Sequence, residues 1–369
     1  MSVATHIFVA GLAAEPDLLA AILGPFEASP ACAEGFVLVK ADGWPWSIVQ
    51  VQPGQTDGLI LEIDADAASR LDFGLRGLGL QPRPVQNLSA LTYVGVGQGP
   101  GAAITPQVLS VVIAAMADIL ALQGQHRPEA IAARLFPVLV RASSRLRAGV
   151  AAPAVLRHAA TAHDVTVHAL RQPYAHFFAI EEYDVSWRRF DGTTSQTVTR
   201  AAFLSGDAVT VLPYDPVRDR VLVVEQFRAG PLARGDAQLW QIETIAGRVD
   251  PFETPETAAR REAEEEAGLI LSDLIFVARY YASVGAVSEY LYSYIALTDL
   301  PDDSAGVFGV EGEAEDIRGH LISFDALMAM ITSAEIENAP LILTALWLQR
   351  ERTRLRLDGQ IAHPAGSGG

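Results

Sequence analysis

The stretch GRVDPFETPETAARREAEEEAGL, residues 247–269, decides how the rest of the chain is read. Five residues separate Gly247 from Glu253, and seven separate Glu253 from the run Arg261-Glu262-Ala263-Glu264-Glu265-Glu266-Ala267-Gly268-Leu269. Thr254-Pro255 has the form of a helix N-cap followed by proline at the first helical position, where a missing N–H costs nothing. Gly268 suits the other end, because glycine enters a left-handed cap without penalty. On the helix between them Glu262 and Glu266 are four residues apart and share a face, while Glu265 follows Arg261 by four on a neighbouring stripe.

Carboxylates crowded on one face repel each other and persist where a divalent cation or an arginine offsets them. Magnesium or manganese fits, since these hard ions prefer oxygen ligands and keep waters for a phosphate substrate. Such ions can offset developing negative charge and activate a bound water. A solvated surface helix laced with Glu/Arg pairs is the other reading of the helix alone. Gly247 and Glu253, at their fixed distances, tip the balance towards a metal site. Seven fixed residues at about 7% each would coincide in roughly one window in 10⁸. Glu264 reads as an exposed passenger.

This stretch resembles the Nudix box, the signature of hydrolases that cleave a nucleoside diphosphate linked to another group. Its one departure is Ala263, where a larger aliphatic is usual. The resemblance implies an α/β/α sandwich. Similarity to ADP-ribose pyrophosphatases extends to HFFAIEEYDVSWRRFDG (residues 176–192), LPYDPVRDRVLVVEQFRAG (212–230) and AEDIRGHLIS (314–323). Carried over position by position, it implies that Glu262 and Glu266 are principal metal ligands, joined by the Ala246 carbonyl. Glu265 would bind metal directly or through water, and Arg261 would tie Glu253 and Glu265 in place. Arg228 would contact the diphosphate with its guanidinium fork, and Glu289 the terminal ribose. Phe177 would stack on adenine with Arg200 beside it, both supplied by the partner subunit of a homodimer; core packing is the alternative for Phe177. Glu313, in the loop GVEGEAED, falls at the general-base position, poised to close over the attacking water, and Glu315 at a metal-linked one. A solvated acidic loop is the alternative there. One residue departs from the pattern: Val284 stands where these enzymes usually carry a proline, fifteen residues after the box.

Composition bounds the rest. The 369 residues suffice for two or three domains, and 50% hydrophobic with 19% charged is the make-up of a soluble globular protein. The formal net charge of −17 argues against a nucleic-acid backbone as partner and requires that an anionic substrate be received by a local cluster of metal and arginine. Cys32 is the only cysteine, so an intrachain disulfide or thiolate cluster is excluded and a reducing, cytoplasmic setting is expected. The opening MSVATHIFVAGL lacks the basic start of a signal sequence. The most apolar segment, residues 108–122, is interrupted by Asp118 and too short for a bilayer. It reads as a buried helix, and no membrane partner is expected.

Before the box, residues 6–9, 36–39, 48–51 and 59–63 read as strands divided by Gly and Pro turns, with a short helix over 65–71. Their order resembles the gamma-glutamylcyclotransferase-like fold, a small mixed barrel. The loop that family writes Tyr-Gly-Ser/Thr-Leu is here Ala10-Gly11-Leu12-Ala13. Leu75 stands where its catalytic glutamate would be, three residues after Leu71-Asp72. The resemblance implies a copy without its acid/base, kept for binding, assembly or stability, and the coupling of the two domains is similar to that in tellurite-resistance proteins. Residues 106–122 and 128–147 read as helices, the second ending on Arg141, Arg145 and Arg147. A strand pair spans 176–189, and strands cover 208–214, 221–227, 276–281, 290–297 and 317–322.

The chain is thus expected to be α/β. A smaller mixed barrel-like domain (1–100) leads through a helical connector (101–160) to a catalytic sandwich (161–355) and a disordered tail (356–369). Its expected activity is metal-dependent cleavage of ADP-ribose to AMP and ribose 5-phosphate. The alternatives are another nucleoside diphosphate sugar or dinucleotide, or an ADP-ribose-binding sensor without turnover.

Overall fold

A computed structural model describes residues 5–101, 103–150, 153–309 and 316–362. The chain divides into two compact units, one running to Ser205 and the other from Gly206 onwards.

Unit 1 contains strands β1 (Thr5–Val9), β2 (Ala28–Ala41), β3 (Ser47–Ile63), β4 (Gln81–Val85), β5 (Ala90–Val94) and β6 (Gly97–Pro100), with helices α1 (Pro16–Leu23) and α2 (Ala65–Gly77) among them. The six strands form one sheet in the order β4-β5-β1-β3-β2-β6, and an extra pairing of β5 with β3 curls it into a half-barrel. Residues 48–51 and 59–63 are not separate strands: both belong to β3, which pairs along its length with β2. Glycine marks close approach here rather than a turn. A Cβ at Gly58 would stand 2.3 Å from the Val9 carbonyl oxygen, and Gly35, at φ +82°, sits at a bulge in β2. Helix α2 outruns its expected end at residue 71. Leu71 and Leu75 are therefore fully buried one turn apart, and Asp72 accepts from the Tyr93 hydroxyl (3.0 Å) and Arg76 (3.1 Å).

Three helices follow: α3 (Pro106–Ala121), α4 (Pro128–Ala132) and α5 (Leu135–Ala148). The Thr105 hydroxyl caps α3 by accepting from Val108 N at 3.3 Å. The single helix expected over 128–147 is broken at Ala133–Arg134. Pro137 is the cause: it lacks an N–H, and its ring excludes a helical carbonyl four residues earlier, at Ala133. Unit 1 closes with an antiparallel ribbon, β7 (Val165–Ala175), β8 (Ala179–Trp187) and β9 (Val198–Leu204). The strand pair expected over 176–189 is shifted, because residues 176–178 form the turn and the first strand begins at Val165. The ribbon is gripped by the connector. Arg134 donates to the Ala175 carbonyl (2.8 Å) and to Gln172 (2.9 Å), and His126 meets the Gln172 carbonyl (3.2 Å).

Unit 2 holds β10 (Asp207–Asp215), β11 (Arg220–Phe227), α6 (Ala229–Arg234), β12 (Trp240–Glu243), β13 (Ile245–Arg248), α7 (Pro255–Ala267), β14 (Asp273–Tyr281), β15 (Tyr290–Leu297), β16 (Val307–Phe308), β17 (Ile317–Ser323), α8 (Phe324–Thr332) and α9 (Ala339–Ala362). The sheet runs β14-β15-β10-β11-β17-β16, with β12 on β11 and β13 on β10. Strand alternation sorts its side chains into two cores. Leu222 and Val224 join Val209, Val211 and Ile245 under α7, whereas Val221 and Val223 join Leu212 and Tyr214 under α8 and α9. The result is an α/β/α sandwich. Helix α9 continues to Ala362, through residues expected to lie in a disordered tail. Leu355 in the core and Arg356, donating to Asp219 at 2.8 Å, hold that stretch in place. Among the described residues no helix is long and apolar enough to cross a membrane.

Candidate metal and diphosphate site

Helix α7 carries the site. The Thr254 hydroxyl caps it by accepting from Thr257 N (3.2 Å), Pro255 opens it, and Gly268 ends it at φ +62°. Leu269 N donates back to the Ala263 carbonyl at 3.0 Å, closing a Schellman-type end. The buried face is almost entirely alanine: Ala258, Ala259, Ala263 and Ala267. These short side chains let the helix axis approach the sheet, and Ala263 is fully buried in that contact.

The approach brings carboxylates onto backbone. Glu266, only 3% exposed, accepts from Ala246 N at 3.0 Å. Glu262 lies across Gly247, where a Cβ would stand 1.9 Å from its Oε1 and 2.4 Å from its Oε2. Gly247 is required there because the carboxylate fills the place a side chain would take. In an extended strand the N–H and C=O of one residue point to the same edge, so the Ala246 carbonyl lies on the edge from which its N–H reaches Glu266. A hard divalent cation fits such a donor set, a buried and a part-buried carboxylate beside a backbone carbonyl. Among the described residues no group of three or more His, Cys, Asp or Glu side chains is placed to hold a metal ion. Glu313 and Glu315 lie outside the described residues.

Arg261 organises the flank. It donates to Glu253 (2.8 Å), Glu262 (2.8 Å), Glu265 (2.9 Å) and the Arg248 carbonyl (3.0 Å). Burial alone would lower its pKa; the bond to Glu253 and the charges of Glu262 and Glu253 outweigh that and raise it. Glu253 is itself fixed, accepting from Asp250 N at 2.8 Å. The structure therefore brings together Glu253, Arg261, Glu262 and Glu265, with Glu266 one turn beyond Glu262 on its face.

Arg228, on the residue after β11, continues the alternation that points Leu222 and Val224 to the α7 face. Both Nε and Nη2 donate to Glu243, each at 2.9 Å, and that carboxylate is buried. Glu289 is half-buried; desolvation raises its pKa against the pull of Arg248 and Arg228. Arg248 shows the converse, lowered by burial with Glu289 and Asp250 opposing. Sequence reasoning missed Glu243 and Arg248. A lone glutamate inside Trp-Gln-Ile-Glu, just ahead of the box, was the available signal.

Phe177 and Arg200 belong to unit 1. Phe177 is not in a strand but in the β7–β8 turn, 63% exposed and edge-on to Phe178 with ring centroids 4.8 Å apart. Arg200 pairs across from Tyr183, four registers from the Ala179–Leu204 pair beside that turn, and its guanidinium lies over Trp187 at 5.8 Å. Within the ribbon the two are thus separated rather than adjacent. Val284 is exposed in a turn where Ala286 N and Val287 N donate to the Ser283 carbonyl.

The helix, its carboxylates and the strand beneath them define a class, and the chain belongs to the Nudix family. The NUDIX domain model matches residues 204–344. The chain is 35% identical over 194 residues to the ADP-ribose pyrophosphatase of Escherichia coli strain K12, covering 53% of this chain and 92% of that one. With the ADP-ribose pyrophosphatase of Haemophilus influenzae the identity is 30% over 195 residues, 52% of this chain and 89% of the other. A GDP-mannose pyrophosphatase of an Enterobacter species is 32% identical over 151 residues, 41% of this chain and 77% of its own.

Proposed function

We propose that this chain is a divalent-metal-dependent pyrophosphatase that hydrolyses ADP-ribose to AMP and ribose 5-phosphate. The observation that carries the chemistry is the seating of Glu262 and Glu266 on the Ala246–Gly247 backbone. The similarity to ADP-ribose pyrophosphatases supports the substrate. Glu262, Glu266 and the Ala246 carbonyl would hold magnesium or manganese, with Glu265 and Glu315 completing the set. When bound, the ion offsets charge on the diphosphate and makes a water nucleophilic. Arg261 and Glu253 position these carboxylates, and Arg228, oriented by Glu243, binds the diphosphate. Glu313 takes the proton from the attacking water, and Glu289 binds the terminal ribose. Phe177 and Arg200 serve adenine recognition from a second copy in a homodimer. The N-terminal half-barrel is a non-catalytic companion, since Leu75, at the position of the cyclotransferase glutamate, is buried inside α2.

A second nucleoside diphosphate sugar is the rival substrate. Similarity to a GDP-mannose pyrophosphatase and Val284 in place of proline favour it. The test is product analysis across a panel of nucleoside diphosphate compounds with magnesium, manganese or EDTA. Metal-dependent AMP release, strongest from ADP-ribose, is expected. Stronger cleavage of another panel member would move the substrate, and tight ADP-ribose binding without cleavage would make the protein a sensor.

A further inference from the structure

Within unit 1, helices α3 and α5 and strands β7 and β8 enclose a cavity of about 320 Å³. Its wall carries four charged side chains, Asp118, Arg141, Arg145 and Glu181. Arg141 and Glu181 are each only 7% exposed. Arg145 ion-pairs with Asp118 across the two helices. Glu181 is held at both oxygens: Gln172 Nε2 donates to one at 3.0 Å and the Tyr183 hydroxyl donates to the other. Gln172 is anchored in turn by Arg134 at 2.9 Å. The rest of the wall is apolar, with Ile119 from α3, Leu122 just past its end and Val138 from α5.

The charges decide what fits. Two cations and two anions cancel, and although Arg145 is half exposed, Arg141 and Glu181 are buried, so a ligand of net charge would leave one of that buried pair uncompensated. An apolar ligand would strip water from Arg141 and Glu181 and return nothing. Burial already pushes Asp118 above the usual carboxylate range, against the pull of Arg145. The volume sits at the small end of small-molecule sites, which run from about 300 to 1,000 Å³. We propose that this cavity binds a small zwitterion with an apolar side group, an α-amino acid of the leucine or phenylalanine type. Its carboxylate faces Arg141 and Arg145, its ammonium faces Glu181 and Asp118, and its side chain lies against Ile119, Leu122 and Val138.

The proposal is independent of the hydrolysis reading and is tested by binding. The full chain is titrated calorimetrically with L-leucine and L-phenylalanine, and with isovalerate and isopentylamine, which each carry one of leucine's two charges. Heat and a raised Tm with an amino acid, and neither with the one-charge analogues, are expected. Glu181→Gln should weaken binding about tenfold or more by removing a charge-assisted contact. Val138→Phe should abolish it by filling the cavity while leaving Tm unchanged or higher. Hydrogen exchange should slow at residues 118–122 and 138–145 when the amino acid is present. Absence of binding by both amino acids would overturn the proposal, as would binding that survives both variants. Equal binding of either one-charge analogue would overturn the zwitterion assignment.

Discussion

Glu266 combines deep burial, a carboxylate and a bond from the Ala246 N–H. Glutamine keeps an oxygen for that N–H, so Glu266→Gln should fold normally. It removes the charge that would hold a cation, and the loss of several kcal/mol of transition-state stabilisation corresponds to about 10³-fold or more in turnover. Steady-state kinetics beside a thermal melt checks both halves, and a near-normal rate would remove Glu266 from the metal site. At this scale the sequence is readable where spacing along one helix carries the information, as for Arg261 and Glu265. It is opaque where partners meet across the sheet. The Arg228–Glu243 pair is fifteen residues apart and forms only because β12 runs back along β11. No local pattern encodes that register.

Helix α7 depends on its ends as much as on its face. Removing the Thr254 hydroxyl cap by Thr254→Ala should cost about 1 kcal/mol, measured by urea unfolding with little change in slope. The helix could be delimited from sequence because Thr-Pro at one end and Gly at the other are local signals. The break before α5 was equally local, in Pro137, but an apolar periodicity running through it concealed the interruption. The glycines of β3 misled for a different reason: a turn glycine and a close-approach glycine are the same residue in one dimension. Another element is tied down electrostatically. Asp219, in the turn between β10 and β11, receives Arg352 (2.9 Å), Arg356 (2.8 Å) and the Tyr214 hydroxyl (2.8 Å), and so pins α9 to the sheet. Burial pushes its pKa up, but Arg352 and Tyr214 more than reverse this, and the net shift is downward. A depressed carboxylate stabilises the fold above its unfolded value, about pH 4, and that contribution is lost as pH falls through the folded value. Asparagine tolerates the left-handed φ of +58° at this position, so Asp219→Asn isolates the charge. Its Tm should be lower than wild type at neutral pH, with the gap narrowing below about pH 4. A gap that stayed constant across that window would assign the effect to packing instead.

For the molecule as a whole, the question is which partner the ribbon β7–β9 belongs with. The sequence reading ends the helical connector near residue 160 and sets a boundary there, whereas compactness places the division at Ser205. The difference arises because Arg134, His126 and the Glu181 network join connector to ribbon across a stretch of chain, residues 153–163, that is almost wholly exposed. Trypsin should nick this stretch early, after the exposed Arg157. The two fragments should still elute together on size exclusion under native conditions. Separation into independent species would move the boundary back to the connector.

Gly247 is indifferent to its own backbone, which is ordinary strand, and a side chain there would first meet the flexible end of Glu262. Every missense change of a glycine codon adds at least one carbon. Such alleles would therefore make full-length, folded protein while swinging the carboxylate off the strand. A mutational scan scored by abundance would pass over codon 247, and one scored by turnover would find it among the least forgiving in the chain. The two maps laid side by side would separate what this molecule needs in order to exist from what it needs in order to react.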